Sequence, residues 1–156
     1  MCRDLARFLL LVLAAACFGC REGPPLESAR QAVEQLRTAR TFSLGPVGPA
    51  GSIPERERAF LAIIASPGAS QLLSDLYDRG TPAAKVYALC GLRHTSGHTF
   101  RKHAARFAAE NIDVKTLSSC WGRDCTAQEI LAAFNRDMLG EYLKFLKHED
   151  EIKRSR

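Results

Sequence analysis

Apolar side chains recur at three- and four-residue intervals along most of the chain, which is the pattern of amphipathic helices. The clearest case is 81–94, where a Thr-Pro start signal precedes the apolar positions Val86, Leu89 and Cys90. The small residues of this segment, which let neighbouring backbones approach closely, are Ala84, Ala88 and Gly91. We therefore predict that this segment forms a central, nearly buried helix.

The same spacing predicts further amphipathic helices on both sides of the central one. They are expected over 26–39, over 52–66, over 67–80 and over 99–109, with Gly and Pro residues separating them. Connections this short require the helices to pack as close neighbours.

Two capping-box sequences mark further helix starts, one at 52–55 and one at 126–129. The second opens a long amphipathic helix, which we expect to bend near Gly140 and to end in a charged tail. Between the helices, short extended segments are expected near Phe42 and Val114.

These elements predict an all-α fold class: a compact array of about five to six helices with at most one minor strand pair. Abundant Ala and Leu, with few runs of β-branched residues, support helices over strands. The helix–turn–helix rhythm over 52–109 resembles α-solenoid repeats of the HEAT type, although no self-similar period is present. The residues expected in the core are Phe60, Ile63, Leu73, Leu76, Val86, Leu89, Phe107 and Leu131.

The first 20 residues have the pattern of an export signal. Two arginines precede the uncharged apolar run 8–16, which is too short for a permanent span because a bilayer needs roughly 20 apolar residues. The run ends at cysteines, and this resembles the signal peptide of bacterial lipoproteins, in which such a cysteine is acylated. We predict lipid attachment at Cys17, with Cys20 as the alternative residue. The mature chain is then a membrane-anchored protein of the bacterial cell envelope, or alternatively a secreted or periplasmic one.

A length of 156 residues predicts a single domain behind this leader. We divide the chain into a signal peptide over 1–20, a region over 21–51, a helical core domain over 52–147 and a charged tail over 148–156. The second region holds a polar spacer, the first helix and a Gly/Pro-rich loop.

The run FLAIIASPGASQLLSDLYDRGTPAAKVYALCGL, which begins at Phe60, is followed by a further cysteine at Cys120. This combination resembles a group of uncharacterised exported bacterial proteins with a small helical domain. The resemblance implies export and a helical fold, and it implies no activity.

In an oxidising compartment, the remaining cysteines are disulfide candidates before they are nucleophiles or metal ligands. Residues 118–124 are expected to form a loop around Trp121. Cys120 has two candidate partners, Cys125 across this loop and Cys90 on the central helix. The longer link stabilises more in the chain-entropy model and would tie the irregular segment 111–125 to the core. The family resemblance carries cysteines at both places and favours the same pairing. We predict Cys90–Cys120, with Cys125 free or paired with Cys20, and Cys120–Cys125 as the alternative.

Cys90, His94 and His98 are metal-ligand residue types that lie close together in the sequence. Cys90 and His94 would share a helix face, as zinc ligands can, but the break around Gly97 precedes His98. The pair is a poor nucleophile and base, because a catalytic cysteine needs an exposed thiolate and Cys90 lies on an apolar face. We therefore predict no catalytic residue, no metal and no cofactor.

The formal net charge of +5 is too small and too dispersed to indicate nucleic-acid binding. No acidic residue occurs between Arg79 and Ala109, and this stretch holds several basic residues. Such a surface would suit anionic headgroups or an acidic partner. The candidate anion-binding residues are Arg93, Arg101, Lys102 and Arg106.

The sequence predicts an exported, lipid-anchored small helical domain that acts as a non-catalytic protein-binding or structural module. Its expected partners are the membrane, through the lipid anchor, and a protein of unknown identity, with no nucleic acid. One alternative is a basic module that binds anionic headgroups or other polyanions. The other is a small metal-dependent enzyme that uses Cys90, His94 and His98.

Overall fold

The computed structural model describes residues 26–154, apart from residues 120 and 135. The predicted leader, including Cys17 and Cys20, lies outside these residues. Within the described part of the chain, no helix is both long enough and apolar enough to cross a membrane.

The described chain is mostly helical, as predicted, but it holds more helices than expected and a three-stranded sheet in place of a strand pair. Seven helices are described instead of five to six. In chain order the elements are α1 (Leu26–Arg37), β1 (Phe42–Val47), α2 (Glu55–Ile64), α3 (Ala69–Arg79), α4 (Pro82–Thr95), α5 (Gly97–Ala109), β2 (Asp113–Ser119), β3 (Trp121–Thr126), α6 (Ala127–Ala133) and α7 (Met138–Arg154).

Helix α4 is the predicted central helix, and nine of its fourteen residues are buried. Its start is capped by the Thr81 side chain, which accepts a hydrogen bond from the Ala84 N–H at 3.3 Å. A Cβ atom on Gly91 would lie only 2.7 Å from a methyl carbon of Leu73 and 2.8 Å from one of Ile64. The glycine therefore lets α2 and α3 pack directly against the backbone of α4.

The predicted core is confirmed with one adjustment. Leu131 is only partly buried, although it packs against the core. The predicted core residues that are buried are Phe60, Ile63, Leu73, Leu76, Val86, Leu89 and Phe107. Helical periodicity identified these positions because each helix has one face against α4 or its neighbours.

The sheet has the strand order β1–β2–β3. Strand β1 runs parallel to β2, with Phe42 beside Thr116, and helices α2 to α5 form the connection between these two strands. Strands β2 and β3 form an antiparallel hairpin in which Val114 lies opposite Cys125. The buried side chains of Phe42, Val114 and Cys125 define the inner face of the sheet, which packs against the helices.

Of the two predicted capping boxes, one was wrong and one was confirmed. Helix α2 begins at Glu55 after Pro54, with no side-chain cap, so the predicted capping box at Ser52 does not form. The capping box between Thr126 and Glu129 is present.

The long helix predicted after Thr126 is divided into α6 and α7. Asp137 provides the reason, because its carboxylate accepts a hydrogen bond from the Gly140 N–H at 2.9 Å and caps the start of α7. The predicted loop around Trp121 is also different, since this residue begins strand β3. Helix α7 continues to Arg154, well into the predicted tail.

Candidate functional site

The predicted metal-ligand residues do not converge. Cys90 is 2% exposed and faces the core, whereas His94 lies at the surface with its Nδ1 atom 3.3 Å from Asp137 Oδ2. His98 is exposed at the start of α5. In the part of the chain that the structure describes, no group of three or more His, Cys, Asp or Glu side chains is placed to hold a metal ion.

Cys90 also lacks the surroundings of a reactive cysteine. Burial, together with the charge of Asp137, raises the pKa of the Cys90 thiol to about 12. An activated cysteine needs the opposite shift and access to substrate. Although partial burial acts against it, hydrogen bonds from the Gly140 N–H and from His94 lower the pKa of Asp137. This carboxylate therefore serves the start of α7.

The predicted disulfide remains a prediction. Cys90 and Cys125 are both buried, and neither is bonded to another described cysteine. Cys120, the predicted partner of Cys90 and the alternative partner of Cys125, lies outside the described residues. The Cys125 sulfur lies 3.3 Å from Thr116 Oγ1, within the hairpin.

Two of the four candidate anion-binding residues are held by contacts inside the protein. The Arg93 Nε donates a hydrogen bond to the Phe134 carbonyl at 3.3 Å, and its guanidinium lies 5.6 Å from the ring centre of Phe100. Arg106 donates to Asp78 at 2.8 Å. These contacts reduce the positive charge that the surface offers to an external anion.

Arg101 and Lys102 are both exposed on α5. Two neighbouring cations on one helix supply only a small part of the field that polyanion binding requires. Two of the four candidate residues are thus engaged by internal contacts and two are exposed, and anion binding by this stretch stays a prediction.

The outer edge of strand β1 is fully hydrogen-bonded at its centre by helix α4. The Ser43 N–H donates to the Tyr87 hydroxyl at 3.1 Å, and this hydroxyl donates to the Ser43 carbonyl at 3.0 Å. The Tyr87 ring is completely buried and lies 4.8 Å, centre to centre, from the ring of Phe42. Burial raises the pKa of Tyr87, so the hydroxyl keeps the proton that it donates.

A buried carboxylate continues the same edge. Glu57 of α2 is completely buried and accepts a hydrogen bond from the Gly45 N–H at 2.8 Å. It also accepts one from the Tyr142 hydroxyl of α7. The next outward N–H, that of Val47, donates to the Ser52 carbonyl at 3.0 Å. The outward N–H groups of three alternate β1 residues thus donate to acceptors within the chain. None of the three is free to pair with a further strand.

No described element covers the opposite edge of the sheet, along β3. All four residues from Trp121 to Asp124 are exposed, and the Trp121 side chain is 82% exposed. An indole this exposed is unusual, because large aromatic side chains bury much apolar area when they find a partner.

The direction of the β3 backbone groups follows from its last residue. The Thr126 N–H donates to Glu129 Oε2 at 2.8 Å, so it points away from β2. In an antiparallel ladder this direction alternates from residue to residue. The N–H and C=O groups of Gly122 and Asp124 therefore also point away from β2, and no described residue bonds them.

A cavity of about 200 Å³ adjoins this edge on the inner face of the sheet. Its mostly apolar wall includes Phe42, Leu44, Val86, Ile130, Phe134 and Met138. Arg123 and Glu129 also line it and form an exposed ion pair with an N–O distance of 3.9 Å. Because side chains alternate along a strand, Trp121 and Arg123 project on the same face as Cys125. The β3 edge thus combines free backbone groups, an exposed indole and an adjacent apolar cavity.

Comparison with protein-family models, with curated proteins and with solved structures gave no significant match. The geometry of the β3 edge is therefore the basis of the functional argument.

Neither edge of the sheet was predicted from the sequence. Trp121 was placed in a loop, although the alternation of Val114, Thr116 and Ser118 before it could have indicated a hairpin. No role was given to Glu57, because this residue stands in the charged run Glu-Arg-Glu-Arg, which has the composition of an exposed surface.

Proposed function

We propose that this chain is an exported, lipid-anchored protein-binding module without catalytic activity, and that it contacts its protein partner through the β3 edge. The anchor is Cys17, or else Cys20. The HEAT-like interpretation of the helices fits this role, since stacked helix pairs serve as scaffolds for recognition.

One observation carries the proposal: Trp121 exposes 82% of its surface at an edge strand, opposite Ser118, which lines the mostly apolar cavity. Trp is among the residues that contribute most to protein–protein affinity when a partner buries it. The chain already has a well-packed core around α4, and this indole is not part of it.

Co-purification of the membrane-extracted full chain with its partners tests the proposal. We expect Trp121→Ala to reduce the amount of co-purifying partner by at least roughly tenfold, because truncating a central Trp typically costs 2 kcal/mol or more of binding energy. Phe145→Ala is the matched control, since Phe145 is another exposed aromatic, at 50%, but lies on α7.

Equal recovery of the partner with both variants would show that the β3 edge is not the binding surface. The location is tested separately by intact-mass analysis of the mature chain. An unprocessed chain without lipid would contradict the anchor and leave the protein-binding surface to be judged by the co-purification.

A further inference from the structure

The two edges of the sheet differ in whether their outward backbone groups have hydrogen-bond partners. On β1, the outward N–H groups of Ser43, Gly45 and Val47 all have acceptors within the chain. On β3, the outward groups of Gly122 and Asp124 have no hydrogen-bond partner among the described residues. A strand edge with free donors and acceptors is complementary to one kind of ligand backbone, which is another extended polypeptide.

We infer that the β3 edge binds an extended segment of a partner protein by antiparallel strand addition, pairing with the backbone of Gly122 and Asp124. This inference rests on the proposed function and specifies the partner's structure. The sheet would gain a fourth strand beside β3, and up to four backbone hydrogen bonds would form.

A second copy of this chain is a poor occupant of the edge. A symmetric antiparallel pair that uses all of the open groups would set Gly122 of each copy opposite Asp124 of the other. It would then set Arg123 directly opposite Arg123, in the closely spaced type of cross-strand pair. Like charges placed opposite one another destabilise strand pairing, so the edge disfavours its own copy.

The same register defines the chemistry of a favourable partner. The residue opposite Arg123 should be acidic, and the residue opposite Asp124 should be basic, since opposite charges stabilise cross-strand pairs. An aliphatic or aromatic residue belongs opposite Trp121, where it would cover the exposed indole. Read in the partner's direction, the pattern is base, acid, any residue, apolar residue.

Trp121 makes the inference measurable, because it is the only tryptophan of the chain. The probe is the capped peptide Thr-Lys-Glu-Thr-Val-Thr, titrated into the full chain while tryptophan fluorescence is recorded. In the inferred register Glu lies opposite Arg123 and Val lies opposite Trp121. We expect a saturable shift of the emission to shorter wavelength as the indole loses contact with water.

Two N-methylated peptides separate backbone pairing from simple contact with the indole. Methylation of Lys and of the central Thr removes the N–H groups that face β3. We expect the affinity of this peptide to fall by roughly tenfold or more. Methylation of Glu and Val alters N–H groups that face away, and the affinity should stay within about threefold. This second peptide is the matched control for the effect of methylation itself.

A charge exchange tests the register. The peptide with Lys and Glu interchanged should bind the wild-type chain roughly threefold more weakly. The double variant Arg123→Glu with Asp124→Lys should reverse this preference. Both substitutions lie on exposed residues, and a urea unfolding curve checks that the variant is folded.

The inference would be overturned if the first peptide caused no saturable shift of the emission, or if the two methylated peptides bound equally well. It would also be overturned if sedimentation showed that the chain forms a dimer through this edge. If the peptides fail while Trp121→Ala still abolishes co-purification of the partner, the strand addition is wrong and the protein-binding function stands. If Trp121→Ala has no effect on co-purification, the proposed function fails as well.

Discussion

The two edges of the small sheet differ in whether other parts of the protein form hydrogen bonds with their outward backbone groups. At the β1 edge, Tyr87 and Glu57 reach in from two helices and bond the outward backbone groups. At the β3 edge, the outward groups of Gly122 and Asp124 face solvent beside an exposed Trp121. The difference indicates that the first edge is part of the packed fold and that the second has no cover among the described residues.

The same comparison explains how strand β1 forms although its residues have a low intrinsic preference for strands. Strand β1 contains Gly45 and Pro46, which are both poor strand residues. Its backbone is held by hydrogen bonds with the buried side chains of Glu57 in α2 and Tyr87 in α4, so tertiary contacts replace intrinsic preference. Strand β3 has only its hairpin partner β2.

The largest expected effect is the loss of the buried carboxylate at the β1 edge. Glu57→Ala leaves the buried Gly45 N–H and the half-buried Tyr142 hydroxyl without their acceptor. We expect the free energy of unfolding to fall by roughly 2–5 kcal/mol, because each orphaned buried group costs about 1–3 kcal/mol. Urea unfolding measures the loss, and Glu55→Ala on the exposed side of the same helix is the control. A loss no larger than that of the control would mean that the β1 edge needs no such bond.

A smaller effect is expected from removing one hydroxyl at the same edge. Tyr87→Phe keeps the ring against Phe42 and takes away the partner of the Ser43 backbone. The free energy of unfolding should fall by roughly 1–2 kcal/mol. Amide hydrogen exchange should accelerate at Ser43 and stay fast at Gly122, which has no internal acceptor. Unchanged protection at Ser43 would contradict the assignment of this bond.

The tyrosines of the β1 edge also predict a loss of stability in alkali. Burial raises the pKa of Tyr87, and burial with the hydrogen bond to Glu57 raises that of Tyr142. The unfolded chain loses these protons near pH 10, while the folded chain keeps them. Their contribution is therefore complete below about pH 10 and declines as the pH rises through the raised values.

Urea unfolding near pH 8 and near pH 11 measures this decline. We expect the double variant Tyr87→Phe with Tyr142→Phe to lose less stability between the two conditions than the wild type. An equal loss in both proteins would assign the alkaline effect to groups elsewhere, such as Tyr77, whose pKa burial also raises.

The smallest effect is expected at the β3 edge itself. Trp121→Ala removes a side chain that is 82% exposed, so the free energy of unfolding should change by less than about 0.5 kcal/mol. The same urea experiment provides the value. A loss comparable to that of Tyr87→Phe would show that the indole supports the fold, and the contrast between the two edges would disappear.

Much of the helical part of this fold could be predicted from the sequence, because its signals are local. The Thr81 cap, the capping box from Thr126 to Glu129 and the apolar positions of α4 all act within one or two turns of their own helix. Where a competing local signal was overlooked, the prediction was wrong. The Asp137 cap divides α6 from α7, and it was hidden within a continuous amphipathic pattern.

Only the tertiary structure determined which edge of the sheet is hydrogen-bonded by buried side chains and which edge is exposed. Glu57 stands among charged neighbours and would be assigned to the surface, yet it is completely buried because Gly45 and Tyr142 meet it from other elements. Trp121 is predicted to lie in a loop, yet it begins strand β3 and no described element covers its side chain. Burial of a polar or aromatic side chain depends on what lies opposite in space, and residues tens of positions away supply that surface. The sequence therefore determined the helices and the composition of the core, and the fold determined which strand was left open.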